Sequence, residues 1–118
     1  MEDSPKIRLC VSPALISTYN IEESTVVVID VLRATTSMCV AFDYGVTEMI
    51  PVETIEECRK LKEQGFLGAA ERNGNKIEGF DFGNSPYSYM REDILGQKVA
   101  ITTTNGTRLL HMALNNGA

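Results

Sequence analysis

The run Thr25-Val26-Val27-Val28-Ile29-Asp30, TVVVID, sets five β-branched residues in a row and closes on a carboxylate. Branching at Cβ stiffens χ1 and suits a pleated strand better than a helix. The run is continuously apolar instead of alternating, the pattern of a strand buried on both faces and so of a central strand in a parallel sheet. A parallel strand needs a crossover, and the sequence supplies one next. From Arg33 to Phe42 the residues Ala34, Met38, Ala41 and Phe42 recur at helical spacing, and Gly45 closes the pattern.

The same alternation continues along the chain. Ile7 to Val11 reads as a strand with Ile7, Leu9 and Val11 on one face, and Glu48 to Val52 as another, which Pro51 pushes toward an edge. Thr54-x-x-Glu57 is a capping box for a helix carrying Ile55, Cys58 and Leu61 and stopping at Gly65. Phe66 to Ala70 reads as a strand, residues 72–86 as a long polar loop, and Ser85-Pro86 as the opening of a brief helix that Tyr87, Tyr89 and Met90 pack. Lys98 to Thr102 is a strand and Thr107 to Asn115 a helix bearing Leu109, Leu110, Ala113 and Leu114. Strands alternating with helices predict a layered α/β fold with a largely parallel sheet and right-handed crossovers.

At 118 residues the chain has the length of a single domain. Eleven Lys and Arg against sixteen Asp and Glu give a net charge of −5, which argues against a broad nucleic-acid or anionic-membrane surface and leaves room only for a local anion site. The polar start and the lack of any apolar window near ~20 residues point to a cytoplasmic protein. Cys10, Cys39 and Cys58 are odd in number and far apart, so reduced and mostly buried thiols are expected, not a disulfide framework or metal cluster.

Ligands of open parallel sheets bind beyond the carboxyl ends of the strands, where helix N-termini present free N–H groups. Three such junctions carry the same kit: Asp30, Arg33, Thr35, Thr36 and Ser37 after the first run; Glu71 and Arg72 after Ala70; Thr103, Thr104, Asn105, Gly106, Thr107 and Arg108 after Thr102. Singly, each has an ordinary explanation, since Asp30 could cap a helix and the arginines could be solvated ion-pair partners. Together they suggest a cradle for phosphate or sulfonate. It is neither a Walker loop nor a dinucleotide fingerprint, because GxxxxGK[ST] and GxGxxG are both absent. Leu32 stands where a haloacid-dehalogenase phosphatase would place its second Asp. An anion cradle beside Asp30, Glu71 and Asp81 suggests Mg²⁺, which takes one or two carboxylates plus phosphate and water. The expected chemistry is phosphomonoester hydrolysis or a related phosphoryl transfer. The lone His111 and the helical cysteines offer no comparable case for catalysis.

Taken together, VVVIDVLRATTS (26–37), AAERNGNKIEGFDFGNSP (69–86) and ITTTNGTR (101–108) resemble the motifs of the 2-phosphosulfolactate phosphatase family, the ComB-type enzymes of coenzyme M biosynthesis. The resemblance implies a three-layer α/β/α fold with a mostly parallel or mixed sheet. It also implies a Mg²⁺-dependent phosphatase converting 2-phosphosulfolactate to sulfolactate and phosphate. By motif it carries over Asp30, Arg33, Thr35 and Thr36; then Glu71, Arg72, Lys76, Asp81, Asn84 and Ser85; then Thr103 to Thr107. Our own reading of the residue chemistry, beyond that resemblance, gives Asp30, Arg33 and Arg108 the catalytic roles, Asp30, Glu71 and Asp81 the metal, and the others the substrate. Ala70 departs from the glycine common in that family, and family members run to roughly twice this length, so the resemblance is to their N-terminal half. The alternative is a non-catalytic phosphate- or sulfonate-binding module or an inactive fragment, with a homodimer formed through an uncovered sheet edge.

Overall fold

The computed structural model describes residues 5–118. Its sheet has four strands, β1 (Glu48–Pro51), β2 (Leu67–Arg72), β3 (Asn75–Lys76) and β4 (Lys98–Thr102), in the order β1-β4-β2-β3. β4 pairs in parallel with both β1 and β2, while β3 runs antiparallel to β2, so the sheet is mixed. Three α-helices accompany it: α1 (Ala34–Asp43), α2 (Ile55–Glu63) and α3 (Gly106–Asn115). This is an α/β fold.

β4 is the strand buried on both faces. Val99 and Ile101 join Ala69, Phe82, Tyr89 and Ala41 of α1 in one core, whereas Ala100 joins Ala70, Phe80 and Cys58 of α2 in the other. Successive residues of a strand point to opposite faces, so this division is the period of two made visible. Short side chains at Ala70 and Ala100 face Cys58 where α2 packs on β2 and β4. Phe82 and Tyr89 stack with ring centroids 4.5 Å apart, and burial pushes the Tyr89 hydroxyl well above its usual range.

The capping box forms as read: Thr54 Oγ1 accepts from Glu57 N at 3.1 Å, and the Glu57 carboxylate accepts from Thr54 N at 3.0 Å. Pro51 is accommodated because β1 is an edge strand.

Other expectations are corrected. Neither Ile7 to Val11 nor Thr25 to Ile29 is a strand in this structure, and Thr25 to Ile29 is not central: Val27 is 75% exposed and Ile29 71%. The apolar run states that it can be buried, but the four-stranded sheet fills its interior with β4 instead. The long loop holds a hairpin, since Asn73 and Gly74 both take positive φ (54° and 82°) and turn β2 into β3 in two residues. Short 3₁₀ turns at Pro13–Thr18, Pro86–Tyr89 and Glu92–Ile94 complete the elements. Tyr89 is buried, but Tyr87 and Met90 are exposed. Of the cysteines only Cys58 is buried, where desolvation raises its thiol pKa and keeps it inert; Cys10 and Cys39 are exposed. Among the described residues no helix is long and apolar enough to cross a membrane.

Candidate active site

β2 and β4 are parallel and adjacent, so their carboxyl ends deliver Glu71, Arg72 and Thr102 to Thr104 to one edge. Glu71 is buried, and its oxygens are spent on that edge. Oε1 accepts from Gly74 N and, at 3.0 Å, from Thr104 Oγ1, while Oε2 accepts from Thr104 N at 3.3 Å. One carboxylate thus ties the β2–β3 hairpin to the turn after β4. Asn73 N adds a second tie by donating to Thr104 Oγ1 at 3.2 Å.

The turn itself is built by its hydroxyls. Thr103 Oγ1 accepts from Thr107 N at 3.2 Å, and Thr107 Oγ1 accepts from Thr103 N at 3.2 Å, a reciprocal pair that starts α3. Asn105, at the N-cap, makes no side-chain cap bond. Among the described residues Gly106 N and Arg108 N have no backbone acceptor, so the first turn of α3 presents free N–H groups with the positive end of its dipole.

Asp30 arrives from the other side. A Cβ placed on Gly106 would lie 3.7 Å from Asp30 Oδ2, 3.4 Å from Ala34 Cβ and 3.2 Å from Thr103 Oγ1. The first two are ordinary contact distances that place the carboxylate and α1 against Gly106, and only Thr103 Oγ1 would have to give way to a side chain there. Thr35 holds Asp30 by its backbone, donating from Oγ1 to Asp30 O at 2.7 Å and accepting from Asp30 N at 3.2 Å. Thr36 Oγ1 donates likewise to Val31 O. The rigidity of Asp30 therefore comes from these threonines and not from a buried strand before it. Arg33 Nη2 reaches Gly74 O at 3.4 Å, joining the first junction to the hairpin.

On the α2 side of the same turn lies a cavity of about 500 Å³ whose wall includes Arg72, Arg108, Thr103, Thr104 and Thr54. Arg72 is fixed there, donating to Thr102 Oγ1 at 2.9 Å and to Glu71 O at 2.6 Å. Arg108 is exposed beside a helix N-terminus, a position that an anion would make favourable.

Not every candidate reaches this edge. Asp81 Oδ2 accepts from Gly68 N at 2.7 Å and pairs with Lys62, three residues back along β2 from Glu71, or ~10 Å at the usual strand rise. Burial opposes the Asp81 charge, but the Lys62 ammonium and the Gly68 amide outweigh it and hold the carboxyl below its ordinary range. Lys76 donates to Phe80 O and lines a different cavity, of about 400 Å³, with Asp81 and Arg91. Asn84 is buried, its carbonyl accepting from Ser37 Oγ at 3.1 Å, and its Oδ1 has no partner among the described residues. Ser85 O accepts from Ser88 Oγ at the start of the 3₁₀ turn. Sequence reading had no signal for Ser37 as the link from α1 to the second motif, because a hydroxyl in a first helical turn usually faces solvent.

The donor set for Mg²⁺ is correspondingly small. Among the described residues no three His, Cys, Asp or Glu side chains converge, Glu71 already accepts three hydrogen bonds, and Asp81 sits elsewhere. Of the carboxylates at the turn, Asp30 is the one beside Gly106 whose side chain accepts no hydrogen bond among the described residues, and one carboxylate completed by phosphate oxygens and water is a set that Mg²⁺ accepts.

A family model described as 2-phosphosulpholactate phosphatase matches residues 10–118. The chain belongs to this family. Three curated relatives are each called probable 2-phosphosulfolactate phosphatase. That of Caldicellulosiruptor saccharolyticus is 52% identical over 95 residues, 79% of this chain and 39% of the relative. That of Thermotoga petrophila is 49% identical over 90 residues, 76% and 40%. That of Clostridium novyi is 42% identical over 113 residues, 93% and 48%. The chain thus spans less than half the length of these relatives, and the three junctions described above lie inside the family match.

Proposed function

We propose that this chain forms the phosphoryl-binding part of a Mg²⁺-dependent phosphatase that hydrolyses 2-phosphosulfolactate to sulfolactate and inorganic phosphate, a reaction of coenzyme M biosynthesis in the cytoplasm. The observation that supports it most is the meeting of Asp30 with Gly106 at the open N-terminus of α3, with Arg72 and Arg108 on the cavity across the same turn. The relatives' names supply the substrate.

In this reading the phosphoryl oxygens take the Gly106 and Arg108 N–H groups, the Thr104 and Asn105 side chains and the Arg108 guanidinium. Arg33 and Arg72 add positive charge against the transferring group. Asp30 orients the attacking water and accepts its proton as the water oxygen bonds to phosphorus. The ester P–O bond breaks in line, and the sulfolactate oxygen leaves and takes up a proton. Mg²⁺, held by Asp30 with substrate oxygens, would supply charge neutralisation at the phosphoryl group. Glu71 holds the turn in place instead of touching substrate.

Asp30→Asn keeps the side-chain shape while removing the charge, so phosphate release from 2-phosphosulfolactate with Mg²⁺ should fall on the order of 10²- to 10⁴-fold with the circular dichroism unchanged. Retained release would take Asp30 out of the mechanism. A second reading, a module that binds the anion without turnover, is favoured by the chain spanning under half of its relatives. Calorimetric binding of phosphate without any release would select it.

A further inference from the structure

We propose that Arg72 sets the specificity of this site: in the cavity beside α3 its guanidinium holds an acid group of the ester other than the phosphoryl group that is transferred. This rests on the phosphoryl reading given above and adds a second anionic subsite to it. The cavity has room for one. Its volume of about 500 Å³ falls within the ~300–1,000 Å³ usual for small-molecule sites, and its wall runs from Thr103 and Thr104 at the turn along Arg108, Met112 and Asn115 of α3. A phosphoryl group on the Gly106 and Arg108 N–H groups lies at one end of that wall, and the rest of the ester extends along it.

Arg72 stands in this wall with its charge unanswered. The side chain is half-buried, and it donates only to neutral acceptors: Glu71 O, Thr102 Oγ1 and, more weakly at 3.5 Å, Glu53 O. Among the described residues no carboxylate pairs with it, nor with Arg108. These bonds orient the guanidinium plane and use fewer N–H donors than the side chain carries. A held, partly desolvated cation with spare donors and no counterion is stabilised by an anion that comes to it. A carboxylate or a sulfonate offers the paired oxygens that such a fork takes, and 2-phosphosulfolactate carries both beside its phosphate. Glu53 opposes them from the same wall. It is the one acidic side chain lining the cavity among the described residues, exposed and 3.7 Å from His111 Nδ1, so two guanidinium groups face a single carboxylate.

Calorimetry on the full chain at neutral pH without Mg²⁺ tests this with three esters: 2-phosphosulfolactate, 2-phospholactate, which lacks the sulfonate, and isopropyl phosphate, which has no acid group besides its phosphate. 2-Phosphosulfolactate should bind at least about tenfold more tightly than isopropyl phosphate, the size of one charge-assisted contact. Arg72→Gln should remove most of that ratio, whereas Glu53→Gln, at an exposed position, should enlarge it about two- to fivefold by lifting a repulsion. 2-Phospholactate binding as tightly as 2-phosphosulfolactate names the carboxylate as the group held, and binding as weakly as isopropyl phosphate names the sulfonate; either result carries the proposal. In the unsubstituted chain the Arg72 Nε–H resonance should move with 2-phosphosulfolactate and stay still with isopropyl phosphate, a readout that does not depend on how any variant folds. Equal affinity for 2-phosphosulfolactate and isopropyl phosphate, with the Gly106 amide shifting for both, would overturn the second subsite and leave the phosphoryl reading standing. A ratio unchanged in Arg72→Gln would overturn the assignment to Arg72, and no Gly106 shift with any of the three would overturn both readings.

Discussion

Glu71 shows why a carboxylate at a strand end need not be a ligand. It is 5% exposed and accepts from Gly74 N, Thr104 N and Thr104 Oγ1, and removing it would leave these donors facing an empty space. Glu71→Ala should cost about 1–3 kcal/mol in urea unfolding and speed exchange of the Thr104 and Gly74 amides, and Glu71→Gln should cost less. A neutral Ala substitution would show that the turn holds itself. Asp81 makes a prediction of opposite kind, in pH. Its folded-state pKa is depressed by Lys62 and the Gly68 amide despite the opposing effect of burial. The stability it contributes is therefore present above its unfolded pKa of about 3.9 and lost as pH falls through the lower folded value. Wild type should exceed Asp81→Asn in thermal midpoint at pH 7, with the gap closing below about pH 4. A gap that persists at lower pH would assign the difference to packing.

At the scale of elements, legibility followed how local the determinant is. The Thr54-Glu57 box, the glycine after α1 and the period of α3 are set within a few residues, and all were readable. Thr54→Ala should lower stability by about 1 kcal/mol, measured by chemical denaturation. The β2–β3 hairpin was equally local, its Asn73-Gly74 pair being the standard two-residue signal, and it was hidden only by the polar composition around it. Gly74→Ala should destabilise the hairpin, because φ of 82° strains any residue with a Cβ, and the loss should appear as broadened or exchanging amides in residues 71–76. The failure at Thr25 to Ile29 is different. Apolarity reports that burial is favourable, but the partner strand is a non-local fact that one stretch of sequence does not carry. The site followed the same division: Glu71 and the Thr103–Thr107 turn were placed together because the parallel neighbours β2 and β4 share an end, whereas Asp30 and Arg33 reach that end from a segment that is not a strand, and Lys76 on β3 with Asp81 beyond it runs back toward the start of β2.

For the whole molecule, a net charge of −5 means that any anion must be drawn by local groups against a repulsive mean field. The open N-terminus of α3, with Arg72 and Arg108 on the adjoining cavity, is where those groups concentrate. Titration of the ¹⁵N-labelled chain with inorganic phosphate reads this out residue by residue. The Gly106 and Arg108 amides should shift together and saturably, with the shifts lost in Arg108→Ala, while the amides around Lys76 and Asp81 stay still. Saturable shifts centred on Lys76 and Asp81, or none at Gly106 with phosphate in the millimolar range, would contradict an anion cradle at this end of the sheet.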